Sequence, residues 1–439
     1  MRNDIFAAGV LLAIGAVFVV IIIGVLDSGG HEYDITMEYE DYMPLDSGIE
    51  VLGTNGPIEI VKIGSTKYIH GTGTGNAQII DVNQDVTYIH VIPAKADIIL
   101  MNGQSNAAYY NYTRPPAAED VANTPTLPYG QAFYFGWNNG MPVFTSDDPS
   151  SCEIWDFMDP STRQIRVCDK GPEFCRTYTD LTGKKAIWIS LGIPAKRIAA
   201  WNQPDGSAWV QDCRIMDYAN TAIRDLPFEI DRVIVLWSQG ESDYLHSTGY
   251  DHYVESFTQL TRAAPEGWGW DIDAWYLLPG RTAQVGWVND AFAQLANTLD
   301  DVYLGSTAAL IDSFSIDNGC MRFDDLHYTQ LGDNALANAA ARTAAGATGM
   351  APVYLIQAEA ETTAGTSISL PTSAWAYSTD MMTTSRITVS WSGTPDFDTA
   401  GTQILQGAWN TSVADTIPHC AGPLLILTVN EAPEEEETP

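Results

Sequence analysis

The sequence predicts an α/β protein: a three-layer α/β/α sandwich on a parallel sheet, flanked by small β-rich modules. Two observations carry this. Between residues 96 and 349, apolar strand-like runs alternate with helix-period segments, the pattern of a parallel sheet covered by helices on both faces. On either side, residues 31–95 and 350–430 read as short strands separated by turns and rich in β-branched residues. A chain of 439 residues, 45% of them apolar, is long enough for two or three domains with a large core.

Taken in order, residues 1–30 read as an N-terminal transmembrane anchor. Ile5 to Leu26 contains no charge and no proline, and at 1.5 Å per residue it spans the roughly 30 Å hydrocarbon core. Asp27 follows without an A-x-A pattern, so an uncleaved anchor is preferred over a secretory signal peptide. Arg2 precedes the run and Asp27, Glu32 and Asp34 follow it. That bias puts the N-terminus in the cytoplasm and the remainder outside a cell membrane crossed once. Residues 31–95, with "IEIVKI", "TKYIHG" and "VTYIHVI", read as a small β-rich domain or stalk.

From residue 96 the strand runs are "ADIILMNG", "KKAIWISLG", "DRVIVLWS", "DAWYLLPG" and "VYLGSTAALID". A loop-rich stretch follows the first of them. Helices are expected at "DCRIMDYANTAIRDL", "YDHYVESFTQLTRAA", "WVNDAFAQLANTL" and "TQLGDNALANAAARTAA". Residues 350–430 read as a C-terminal β-sandwich-like module, either separate or packed with 31–95 as one discontinuous sandwich. Residues 431–439 read as an acidic, disordered tail.

The formal net charge is −34, from 55 acidic and 21 basic side chains. Such a surface excludes nucleic acid as a partner, because binding a phosphate backbone requires Lys and Arg to displace its counterions. The six cysteines, Cys152, Cys168, Cys175, Cys213, Cys320 and Cys420, include no C-x-x-C pair that would suggest zinc. Outside a cell they would form up to three disulfides, and Cys168 and Cys175 are close enough to clip one loop. Asn111-Tyr-Thr and Asn410-Thr-Ser are formal glycosylation acceptors. The other histidines, His31, His70, His90, His246, His252 and His419, lack metal-ligand spacing, and neither a metal nor a cofactor is expected.

Three short blocks carry chemistry. Gly103-Gln104-Ser105-Asn106 follows directly on a buried strand run, and in an open parallel sheet ligands bind at the carboxyl ends of strands. A serine there, at the start of a helix, has free N–H groups beside its hydroxyl; a turn or N-cap serine is the ordinary alternative. Asp324-Asp325-Leu326-His327 precedes the last helix. An Asp three residues before a His can reach its Nδ1–H and leave Nε2 free to take a proton from a serine. Trp237-Ser238-Gln239-Gly240-Glu241-Ser242-Asp243 follows the strand run "VIVLW". Its Gln239 amide suits a developing oxyanion, and Glu241 and Asp243 are orienting or loop acids.

Together "GQSN", "WSQGESD" and "DDLHYTQLG" resemble the blocks of the SGNH hydrolase superfamily. They are closest to its branch of sialate O-acetylesterases and acetylxylan esterases (carbohydrate esterase family 6 and relatives). The resemblance covers roughly residues 96 to 348 and implies an SGNH, flavodoxin-like sandwich. It implies a Ser-His-Asp esterase removing O-acetyl or other short acyl groups from a carbohydrate or glycan, without metal or cofactor. Ser105 is then the nucleophile, His327 the general base and Asp324 its orienting acid. The Ser105 N–H and Gln239 belong to the oxyanion hole, and Glu241 is a second candidate for orienting the histidine. Gln104, Asn106 and Trp201 join Glu241 as substrate or orienting positions.

One segment departs from the branch. Its Gly-Gly-Thr-like element is replaced by Gly192-Ile193-Pro194-Ala195, before Lys196, Arg197, Ile198 and Trp201. Proline has no N–H to give, so either Ala195 or Gly192 must supply the donor, and losing one such donor costs about 10²–10³ in rate. This departure sustains an alternative, a non-catalytic glycan-binding or adhesin protein that reuses the fold. Lys196 and Arg197 are acidic-sugar contacts or solvated turn residues. Tyr109, Tyr110, Trp137, Trp201 and Trp209 are candidates for stacking on sugar rings or for the core.

Overall fold

The computed structural model describes residues 34–108, 123–137, 148–159, 169–306, 320–346, 354–378, 384–409 and 424–432, with Asp120, 164–165, 308–310, Phe314 and Ile316 between them. The N-terminal segment forms seven strands: β1 (Ile35–Glu38), β2 (Tyr42–Pro44), β3 (Val51–Asn55), β4 (Ile58–Ile63), β5 (Thr66–Gly71), β6 (Gly75–Asp81) and β7 (Val86–Ile92). They make two sheets, β1-β7-β6-β3 and β2-β5-β4. Met37, Ile58, Ile69, Ile79, Ile89 and Val91 form a core of their own.

The chain then enters a seven-stranded sheet of β8 (Ala94–Gly103), β9 (Ala132–Gly136), β10 (Glu153–Asp156), β13 (Lys185–Ser190), β14 (Phe228–Ser238), β15 (Ala274–Leu277) and β16 (Val302–Leu304). A two-stranded ladder, β11 (Met158–Asp159) with β12 (Gln164–Ile165), lies beside its edge in sequence. The order is β10-β9-β13-β8-β14-β15-β16. All pairs are parallel except β10 with β9. The first strand, β8, sits in the middle; the chain builds one flank, then crosses to the other. That reversal makes the carboxyl end of β8 the switch point where α/β sheets open a crevice.

Side chains alternate along the central strands. Ile98, Leu100, Val233, Val235 and Trp237 face one layer, with α2 (Ser207–Arg224), α4 (Tyr250–Trp268) and α6 (Val288–Thr298). Ile99, Met101, Ile234 and Leu236 face the other, with α1 (Lys170–Thr182) and α7 (Gln330–Ala345). Two short helices, α3 (Glu241–Leu245) and α5 (Thr282–Val285), lie in loops. Sheet and helices therefore form an α/β/α sandwich with extra β modules. β9 and β10 lie in the stretch expected to be loop; Phe133, Tyr134 and Phe135 of β9, which lies between the edge strand β10 and β13, are buried.

The C-terminal strands, β17 (Tyr354–Thr363), β18 (Ser373–Ser378), β19 (Thr384–Trp391), β20 (Gly401–Trp409) and β21 (Leu424–Asn430), close into a barrel. They neither form a sandwich nor share a sheet with the N-terminal strands. Closure pairs the last strand with the first and removes the open edges. Leu425, Leu427 and Val429 turn inward at every second position.

Two location-linked expectations are corrected. Among the described residues no helix is long and apolar enough to cross a membrane, which counts against a single-pass cell-membrane protein; the Ile5–Leu26 run itself lies outside those residues. Cys175 and Cys213 are free thiols, so three disulfides do not form. Cys175 points from α1 into the core beside Phe174 and Trp188, where burial pushes its thiol well up. Cys168, Cys420, Asn111, Asn410, Tyr109 and Tyr110 lie outside the described residues.

Helix α1 begins at Asp169, whose side chain accepts the Gly171 N–H at 2.6 Å, and ends at Gly183 in the left-handed region. Burial raises the Asp169 carboxyl from 3.8 to about 7, against the opposing Gly171 hydrogen bond. Between those values the folded chain keeps a proton that the unfolded chain has released. Stability from this group is therefore complete at low pH and lost as pH rises through that window. Asp169→Asn keeps the cap but not the proton. Melting temperature against pH should fall less steeply in the variant between pH 4 and 7, by about 1.4 kcal/mol per unit in stability. Parallel curves would contradict the assignment.

Candidate active site

The strand end decides where Ser105 sits. Gly103 closes β8 at φ 132°, and a Cβ there would stand 2.0 Å from the Ser238 carbonyl oxygen of β14. Only glycine fits. The Gln104 N–H then bonds Ser238 O at 2.9 Å, and the Ala107 and Ala108 N–H groups both reach Gln104 O at 2.9 Å. This one-turn coil presents Ser105 just beyond the sheet.

His327 comes from the loop before α7. Its Nε2 lies 2.9 Å from Ser105 Oγ, and its Nδ1 lies 2.7 Å from Asp324 Oδ2. The other Asp324 oxygen accepts the Leu326 and His327 N–H groups, each at 3.0 Å. Burial alone would raise the Asp324 carboxyl, but the His327 N–H, the ring and the Leu326 N–H together hold it below its ordinary value. An ionised carboxylate only accepts, so Nδ1 carries the ring proton and Nε2 is left as acceptor for the serine hydroxyl. The loop is braced from outside: Arg281 pairs with Asp325, and Gln284 Nε2 donates to Asp325 O at 2.5 Å.

Asn106 joins all three sequence blocks. Its Nδ2 donates to Glu241 Oε1 at 2.6 Å and to Leu326 O at 3.1 Å. Glu241 thus holds Asn106, and Nδ1 of His327 belongs to Asp324. Burial raises the Glu241 carboxyl, against the opposing Asn106 bond and the Lys170 charge. Gln104 is also structural: its Oε1 accepts the Ser242 N–H at 3.1 Å and lies 3.4 Å from Gly240 N.

Two site expectations change. The Gln239 amide N–H groups are already taken up by acceptors within the protein. Its Nε2 donates to Asp243 and to Lys196 O at 3.0 Å, and its Oε1 accepts Tyr253 O–H at 2.7 Å. Asp243, one turn further on, captures the donor and makes Gln239 a brace for the 192–198 loop. Trp201 is no sugar platform either. It is 1% exposed, stands edge-on to Trp237, and donates Nε1–H to Asp212 at 2.9 Å. Trp209 is also buried.

Gly192 does lie beside the serine turn: a Cβ on it would meet Ala108 N at 2.4 Å. Its neighbours Leu191 and Ile193 donate to Met101 O and Gly103 O, extending the parallel ladder. Among the described residues neither the Ser105 N–H nor the Gly192 N–H has an acceptor. Ala195 occupies the left-handed region at φ 58° on the exposed part of the same loop. Among the described residues no group of three or more His, Cys, Asp and Glu side chains is arranged to hold a metal ion.

Sequence reasoning missed the buttress behind the serine. Asn102 accepts the Gly103 N–H at 2.6 Å and donates to Asp212 at 2.7 Å, so Trp201, Asp212 and Asn102 hold the strand end from behind. Burial raises Asp212 well above its ordinary value. A signal existed: Asp212 shares the apolar stripe of α2 with Ile215, Met216, Ala219 and Ile223, an acid at a core position.

No protein-family model matches the chain, and no curated protein matches it by sequence. Among solved structures the chain is similar to a protein from Arabidopsis thaliana, at 14% identity over 58% of this chain and 99% of that one, with a TM-score of 0.40. It is similar to NanS at 12% identity over 57% and 97%, with a TM-score of 0.38. It is also similar to a carbohydrate acetylesterase from Xanthomonas citri at 15% identity over 89% and 97%, with a TM-score of 0.38. The chemistry is read from the site itself.

Proposed function

We propose that the chain is a serine esterase that removes short acyl groups, acetyl foremost, from carbohydrate. The observation that carries this is the unbroken chain of hydrogen bonds from Ser105 Oγ through His327 to Asp324, at 2.9 and 2.7 Å. Nε2 takes the hydroxyl proton as Oγ attacks the ester carbonyl. The carbonyl oxygen becomes an oxyanion, held by the Ser105 and Gly192 N–H groups in this reading. The imidazolium then protonates the leaving sugar oxygen and the C–O bond breaks. Water, deprotonated by the same nitrogen, releases the acyl group as a carboxylic acid and restores the serine. The carbohydrate part of the proposal rests on the three sequence blocks.

The direct test is acetate release from acetylated xylan and from O-acetylated sialic acid by the purified chain. Release from neither, with 4-nitrophenyl acetate also untouched, would leave only the glycan-binding alternative. The two acids beside the histidine are separable in the same assay. Asp324→Asn should cost up to about 10⁴ in kcat by fixing the wrong tautomer. Glu241→Gln, which keeps an acceptor for Asn106, should cost less than about tenfold. The reverse ranking would move the orienting role to Glu241.

A further inference from the structure

We infer that Lys170 is a positioning residue for this reaction: its buried ammonium locks the turn that carries Ser105 to the loop that carries His327. The inference rests on the esterase reading above. Lys170 is the first residue of α1, and its side chain is 4% exposed. Its Nζ donates to the Asn106 carbonyl at 2.5 Å and to Asp333 Oδ1 at 2.6 Å, and lies 4.8 Å from the centre of the Tyr328 ring. Asn106 directly follows the nucleophile and Tyr328 directly follows the base. Asp333 lies in the first turn of α7, the helix that the histidine loop enters. One cation therefore touches the chain neighbours of both reacting residues.

Folding alone gives no reason for a charge here. Burying an ammonium is costly even when paired, and apolar replacements of buried ion pairs are often neutral or stabilising. The first turn of a helix is also the unfavourable end of its dipole for a cation. What the ammonium offers is geometry. Its three N–H bonds diverge, so one carbonyl, one carboxylate and one ring face are gripped at once. The Asn106 side chain, clamped by Glu241 and Leu326 O, fixes the other side of the same peptide. Without the cation the Asn106 carbonyl loses this tie to α1 and α7, and the turn keeps its bonds to β14, to the Gln239–Ser242 block and to Glu241.

The test replaces the pair rather than breaking it. Lys170→Met with Asp333→Leu removes both charges and leaves no lone buried ion. The double variant is expected to melt within a few degrees of the wild type. Its kcat for 4-nitrophenyl acetate should fall about 10²-fold, the scale of a 1 Å misplacement, with KM within about twofold. Capture of Ser105 by a fluorophosphonate should slow in parallel. A double variant with unchanged kcat and capture rate would overturn the inference. So would a loss of kcat matched by a loss of folded protein, which would assign the pair to stability alone. A wild-type chain inert to both reagents would overturn the esterase reading itself, a separate and distinguishable failure.

Discussion

Ser105→Ala is expected to lower kcat for 4-nitrophenyl acetate by about 10⁶-fold, the scale on which an intact triad acts. The hydroxyl is the atom that bonds to carbon, so nothing nearby replaces it. His327→Ala should cost nearly as much, because Nε2 stands 2.9 Å from that hydroxyl and accepts its proton. The double variant should be no worse than either single one, since the residues act as a unit. Residual turnover of about 10³–10⁴ over water would measure what the backbone donors supply alone. Initial rates with purified protein decide it. Equal turnover by Ser105→Ala and wild type would remove the serine from the mechanism.

Gly103→Ala is expected to have the largest effect on folding. A Cβ would stand 2.0 Å from Ser238 O and 2.6 Å from Ser238 C, and both are backbone atoms of the neighbouring central strand. They have nowhere to move, because β8 and β14 are paired from Phe228 with Ala94 to Ser238 with Gly103. The φ of 132° adds strain for any L side chain. The loss should exceed about 3 kcal/mol, with Ser105 displaced in whatever remains folded. Thermal melting and ester turnover, measured together, should both collapse. Retention of either would mean that the strand ends part more easily than their close approach implies.

The sandwich was legible because its strands are buried on both faces and read as unbroken apolar runs. "ADIILMNG" and "DRVIVLWS" became the central pair, and the helices between them show their stripes. The edge strand β10 and its neighbour β9 were not legible: Phe133 to Phe135 lie in a stretch crowded with glycine, proline and asparagine, and short aromatic runs there look like loop. Barrel closure is also invisible in sequence, since an inward period of two serves a sandwich equally well. In the site, residues whose spacing is local were readable. Asp324 reaches His327 within one turn, and Gly103 announces the sharp corner before Ser105.

Residues defined by distant partners were not readable. Gln239 looked like a free amide donor until Asp243, Lys196 O and Tyr253 met it. Trp201 matched a motif, yet its partner is Asp212 in the interior. Lys170 lies 64 positions from Asn106 and 163 from Asp333, and a lysine opening a helix gives no sign of burial. Tertiary approach assigned these roles, and only glycines and misplaced acids hinted at them in the sequence.

The central assertion is that one serine hydroxyl in this chain is activated by the imidazole beside it. Treating the purified protein with a fluorophosphonate and mapping the adduct by mass spectrometry of its peptides asks this directly. The expected result is a single stoichiometric adduct on Ser105, absent from Ser105→Ala and sharply slowed in His327→Ala. An unlabelled wild-type protein, or a label that persists in Ser105→Ala, would contradict it.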